Sequence, residues 1–161
     1  LVVDFGNKWR KGATNISDAL SEMIQARDAS TVKNICKRFI EETVCFLASS
    51  KQKKLNAIIE TANKYMEEHY SQDIMLEDIA RAVNLSPYYF SHFYKDETGI
   101  NFIDKLTAIR MEKAKEYLLN GDESIKEISG LVGYSDPNYF SKIFRKQVGV
   151  TASEYKERNG R

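Results

Sequence analysis

Hydrophobic positions along this chain recur with the period of a helix, not of a strand. Val32, Ile35, Cys36, Phe39, Ile40, Thr43 and Leu47 fall at the i, i+3, i+4, i+7 spacing that lines one helix face, predicting a helix over about 31–48. A shorter helix through Arg27 is predicted from Ile16, Leu20, Met23 and Ile24, with Asn15 or Ser17 placed to cap it. Leu55, Ile58, Ile59, Ala62, Tyr65 and Met66 predict a helix over about 55–70. Ile103, Leu106, Ile109, Arg110, Ala114, Tyr117 and Leu118 predict a long one over about 101–119, closed by Asn120-Gly121. The polar cluster Ser49-Ser50-Lys51-Gln52-Lys53-Lys54 reads as a solvated linker. Residues 1–14, with Gly6 and Gly12, show no clear period and read as a loop or the tail of a preceding domain.

From residue 76 the pattern repeats itself. LEDIARAVNLSPYYFSHFYKDETG at 76–99 aligns with IKEISGLVGYSDPNYFSKIFRKQVG at 125–149. Leu76, Ile79 and Val83 match Ile125, Ile128 and Val132 at an offset of 49. Pro87, Tyr89-Phe90-Ser91 and Gly99 match Pro137, Tyr139-Phe140-Ser141 and Gly149 at an offset of 50. The single inserted residue falls in a turn, where the chain tolerates it. Each copy reads as helix, tight turn, helix, the first over about 76–97 and the second over about 125–147. Ala80 and Ser129 are the small residues where paired helices can cross. Asn84 and Gly133 suit the left-handed conformation that ends a helix. Ser86 and Asp136 are N-caps followed by Pro87 and Pro137 in the first turn, and Ser124 with Glu127 has the capping-box spacing.

The second helix of each copy has two faces. Phe90, Phe93 and Tyr94, and likewise Phe140, Ile143 and Phe144, form the predicted core face. The opposite stripe is Tyr88, Ser91, His92 and Lys95 in one copy and Asn138, Ser141, Lys142 and Arg145 in the other, with Lys146 beside it. Both stripes are hydrogen-bonding and mostly non-acidic, as a helix lying in a DNA major groove requires. With the leading Pro87 and Pro137, these residues are the candidate DNA-binding set. Lys95 and Arg145 suit phosphates, which need only charge and reach, while Tyr89 and Tyr139 read as half-buried. The helix over 101–119 would span ~28 Å, close to the ~34 Å repeat of B-DNA. It could therefore present both reading helices to successive groove segments, and a single chain would read two unlike half-elements.

Composition supports an all-α fold: 161 residues, 42% hydrophobic and 29% charged, with only Pro87 and Pro137 as prolines. The net charge of +1 means that any basic footprint is local. It also leaves open an alternative, a helix-turn-helix module used mainly for protein–protein interaction with weak DNA affinity. No apolar run approaches the ~18 residues of a membrane span, so no membrane partner is expected. Cys36 and Cys45 would lie ~13 Å apart along one helix, too far to bond, which fits a reduced cytoplasmic setting. No phosphate loop, nucleophile elbow or Cys–His pairing occurs. Two separated histidines make no metal site. Neither catalysis nor a cofactor is expected. The first residue is Leu1, and a fragment of a longer protein is expected.

Residues about 55–158 resemble the DNA-binding domain of the AraC/XylS family of bacterial transcription regulators. The motifs that carry the resemblance are Leu76-Glu77-Asp78-Ile79-Ala80, Ser86-Pro87-Tyr88-Tyr89-Phe90-Ser91, Thr98-Gly99 with Phe102, and Ile109-Arg110-Met111-Glu112-Lys113-Ala114 with Leu118-Leu119. Beyond them come Ile125-Lys126-Glu127-Ile128 and Val132-Gly133-Tyr134-Ser135-Asp136-Pro137-Asn138-Tyr139-Phe140-Ser141 through Phe144-Arg145-Lys146. The resemblance implies seven helices: two homeodomain-like helix-turn-helix subdomains joined by a long connecting helix, here preceded by a short helical segment. It implies base contacts at Tyr88, Ser91, His92, Asn138, Ser141 and Lys142, and activation of transcription with RNA polymerase. Met75, Lys105 and Ala152 depart from the family pattern and bear on local capping. The wording is most similar to the output domains of AraC-type two-component response regulators. Residues 1–54 are accordingly expected to be a helical linker or the remnant of an upstream regulatory domain, 55–161 the DNA-binding domain, and any homodimer to form through the missing N-terminal region.

Overall fold

The computed structural model describes residues 15–159, and every regular element among them is a helix. Residues 1–14, read above as loop or tail, lie outside the described residues. The elements are α1 (Ile16–Gln25), α2 (Ala29–His69), α3 (Leu76–Ala82), α4 (Pro87–Thr98), α5 (Phe102–Asn120), α6 (Ile125–Leu131), α7 (Pro137–Val148) and α8 (Ala152–Asn159). No described helix is long and apolar enough to cross a membrane.

The largest departure from the sequence reading is α2. One helix of 41 residues runs where the pattern predicted two, so the short helical segment is long and the linker expected at 49–54 is helical. The reason is local. The cluster contains no Pro or Gly, and lysine and glutamine propagate a helix almost as well as leucine. Polarity there decides which faces are wet, not where the helix stops. Gln52 even donates its amide to Asn56 Oδ1 one turn on, at 3.0 Å.

Contacts group the chain into two units, Leu1–Ala57 and Ile58–Arg161. In the first, Ala19 and Ile35 are the buried hydrophobic residues among those described, and Arg38 pairs with Glu22 to tie α2 to α1. The second unit holds two separate cores. Ala62 and Met66 from α2, Ile79 and Ala80 from α3, and Phe90 and Tyr94 from α4 form the first, closed by Leu106. Ile128 and Val132, Phe140 and Phe144, Tyr134 and Ala152 form the second around Met111, Ala114 and Leu118. One helix, α5, therefore serves both cores with consecutive turns.

The two turns have the same hydrogen-bond pattern. Leu85 N–H donates to Ala80 O and Tyr134 N–H to Ser129 O, each at 2.9 Å, across a left-handed Asn84 (φ 56°) or Gly133 (φ +84°). Ala80 and Ser129 are fully buried where the helices cross, and the Ser129 hydroxyl donates to Tyr134 O at 3.1 Å. The caps form as spaced. Ser86 Oγ accepts from Tyr89 N–H at 3.3 Å and Asp136 Oδ1 from Asn138 N–H at 2.8 Å. Ser124 and Glu127 close their box with 3.3 Å and 2.8 Å bonds, and hydrogen bonds from the Ser124 backbone and side chain hold the Glu127 carboxyl below its ordinary range. Met75 supplies no side-chain acceptor, but Asp78 Oδ2 takes the Met75 N–H at 3.0 Å, preserving half of the motif.

The turns differ in what they permit. A Cβ on Gly133 would lie 2.7 Å from Tyr70 O and 2.9 Å from Arg110 Nη2, on a backbone that disfavours side chains. Gly133→Ala is expected to cost about 1–3 kcal/mol, read from chemical denaturation. Asn84→Gly, at an exposed turn already in that conformation, should change stability by about 0.5 kcal/mol or less.

Candidate nucleic-acid interface

The buried face of each reading helix fixes its rotation, and that decides what points outward. In α4 the Phe90 and Tyr94 rings lie 5.5 Å apart in the first core, and Tyr94 donates its hydroxyl to Asn63 Oδ1 at 2.6 Å. Burial pushes that phenol up to about 12. In α7 the Phe140 and Phe144 rings lie 5.8 Å apart, and both residues are fully buried. Phe93 is buried as expected. Ile143, expected in the core, is only partly buried at its edge. Each helix ends on a left-handed glycine, Gly99 or Gly149.

The first stripe has an ordered geometry. Tyr88 is 77% exposed, His92 and Lys95 are exposed, Ser91 is half-buried, and Pro87 forms the first turn. The Tyr88 and His92 rings lie 4.4 Å apart, and His92 Nδ1 sits 2.9 Å from Tyr88 O. A carbonyl can only accept, so Nδ1 carries the proton and donates. In the neutral ring, Nε2 is then an outward acceptor. Asp96, four residues beyond His92, and Glu97 are also exposed, so the acids of α4 outnumber its single lysine. The sequence reading stopped at Lys95, although the i+4 step to Asp96 was legible.

The second stripe is different in charge. Asn138, Ser141, Lys142, Arg145 and Lys146 are all exposed, following Pro137 in the first turn. Ser141 Oγ donates to Pro137 O at 2.8 Å, which turns its lone pairs outward. Among the described residues, no carboxylate lies within ion-pair distance of Lys142, Arg145 or Lys146. Bonds from Thr151 and the nearby Arg158 and Arg145 charges keep Glu154 low. Arg145 and Lys146 also sit in the last turn of α7, where the helix dipole favours cations. Tyr89 and Tyr139 are each 54% exposed and flank the stripes. The arrangement offers two hydrogen-bonding helix faces of unequal charge.

Known proteins share this architecture. A helix-turn-helix domain family matches residues 79–158. The regulatory protein PocR of Salmonella typhimurium is 42% identical over 96 residues, covering 60% of this chain and 32% of that protein. The C-terminal domain of AraT, a response regulator from Geobacillus stearothermophilus, is 44% identical with a TM-score of 0.62, covering 65% of this chain and 87% of that one. The C-terminal domain of the two-component response regulator YesN from Fusobacterium nucleatum is 36% identical with a TM-score of 0.58, covering 60% and 95%. The chain spans about a third to a half of the length of the first curated relatives it matches. With both repeats, their turns and the connecting helix in place, the chain belongs to the AraC/XylS family of helix-turn-helix transcription regulators and carries its DNA-binding domain.

Proposed function

We propose that the domain reads an asymmetric duplex site, with α4 and α7 in successive major-groove segments, as the output part of a cytoplasmic bacterial transcription activator. The observation that carries this is the pair of outward stripes, each set by a buried aromatic face on its own core. Pro87 and Pro137 start the two helices at the groove. Tyr88, Ser91 and His92, and Asn138, Ser141 and Lys142, are the base-edge readers. Lys95, Arg145 and Lys146 hold phosphates. His92 Nε2, as an acceptor, suits the amino group of cytosine or adenine.

Residues 55–161 act as the DNA-binding part in this reading, and 1–54 connect it to an upstream regulatory domain through which homodimers form. The likeness to the C-terminal domains of two response regulators supports an upstream regulatory domain and a two-component signal. RNA polymerase is the partner of the activator, and binding energy, not a chemical step, is the output, so the protein is no enzyme. The acids on α4 and the net charge of +1 favour one rival, a module that chiefly binds protein.

Selection of bound duplexes from random sequence at two salt concentrations separates the two. The expected result is an enriched site of two unlike halves whose affinity falls steeply with salt through counterion release. Recovery of no motif would favour the rival.

A further inference from the structure

The two helix-turn-helix units have separate cores that share α5, so side chains bridging the two units add to what that helix does to fix their mutual angle. Arg110 lies on α5 between Leu106, in the first core, and Met111 and Ala114, in the second. Its Nε donates to Tyr70 O and its Nη2 to Gln72 O, each at 2.8 Å. Its guanidinium carbon lies 5.1 Å from the centre of the Tyr134 ring. Tyr70 and Gln72 follow the end of α2, which is seated in the first core through Ala62 and Met66. Tyr134 belongs to the turn between α6 and α7. Tyr70 itself packs against both cores.

Gly133 completes the contact, because any Cβ there would strike Tyr70 O and the Arg110 guanidinium. One planar group therefore ties the end of α2, the middle of α5 and the second turn together. A lysine could not replace it, since a single ammonium lacks the fork that reaches two carbonyls while a flat face lies on a ring.

We infer that Arg110 is a positioning residue that locks the two units in one relative orientation and so sets the spacing of half-elements the protein accepts. Two linked binding units gain affinity only where the link holds both in register with their sites. A rigid link concentrates that gain at one spacing. A loose one spreads it over several and lowers the peak. The inference rests on the proposed reading that both units bind DNA, but the orientation itself is a property of the free protein.

The test therefore has two arms, using the full chain and its Arg110→Gln and Arg110→Lys variants. In the first, Cys36 and Cys45 are replaced by serine and spin labels are placed at exposed Glu77 and Lys126. Distance distributions are then measured without DNA. A narrow distribution in the parent that broadens in both variants supports the clamp, and unchanged widths overturn it.

In the second arm, binding is compared on the selected site, on single half-elements, and on sites with one or two base pairs inserted between halves. The variants should bind half-elements as the parent does, which also reports that they are folded. They should lose about tenfold on the parent spacing and show a flatter dependence on insertion. Equal losses on half and full sites, or the parent's spacing dependence retained, would overturn the inference. Parent binding that ignores half-element spacing, with the distances still clamped, would refute the two-site reading and leave the clamp supported.

Discussion

Phe140→Ala is expected to lower the stability of the DNA-binding domain by about 3–5 kcal/mol, the cost of removing a fully enclosed aromatic ring. Phe140 has no exposed surface and packs 5.7 Å from the Tyr134 ring and 5.8 Å from Phe144, centre to centre. Phe144 in turn meets Tyr155 of α8 edge-on at 5.8 Å. The ring is enclosed on all sides, so its removal leaves a cavity that the neighbours fill only in part. The same ring sets the rotation of α7, so the loss of packing also loosens the stripe that faces outward. Against a typical total of about 5–15 kcal/mol, that is roughly a third to a half of a mid-range total. Tyr139→Ala, one position away and half exposed, should cost far less. Urea denaturation of both checks the pair. A parental midpoint for Phe140→Ala would mean that the two faces of α7 have been exchanged.

Much of this was legible because the information is local or periodic. The repeat placed both turns, and the chemistry of Asn84 and Gly133 predicted the left-handed residues that the backbone adopts. The aromatic spacing in α4 and α7 assigned core and outward faces, with Ile143 the residue set too deep. One feature was misread and one was not seen. The lysine-rich cluster at 49–54 looked like a linker because it is polar, but polarity without a helix breaker does not end a helix. The role of Arg110 depends on carbonyls 40 and 38 residues away, a distance that no window of periodicity spans. A signal was present all the same: Arg110 is a charged residue four positions from both Leu106 and Ala114, on the helix face that carries the apolar residues of α5. Such a group asks for a buried partner.

The unequal charge of the two stripes leads to the second large expected effect. Lys142→Ala should weaken binding to the selected site by about 1–3 kcal/mol and random duplex much less, because a base contact is lost only where the right base is present. Arg145→Gln combined with Lys146→Gln should weaken both kinds of DNA alike. It should also make the slope of log affinity against log salt shallower by about 2, near one unit for each phosphate contact removed. On α4 only Lys95 is available for that role, and Asp96 and Glu97 stand beside it. Lys95→Gln should therefore change the slope by about 1 at most, while Asp96→Asn should raise affinity for random duplex by relieving repulsion from the phosphates. Titrations on both DNAs across a salt series read all four variants. If Lys142→Ala loses as much on random duplex as on the selected site, Lys142 is a phosphate anchor. The discrimination supplied by α7 then falls to Asn138 and Ser141, whose hydrogen-bonding groups are exposed beside it.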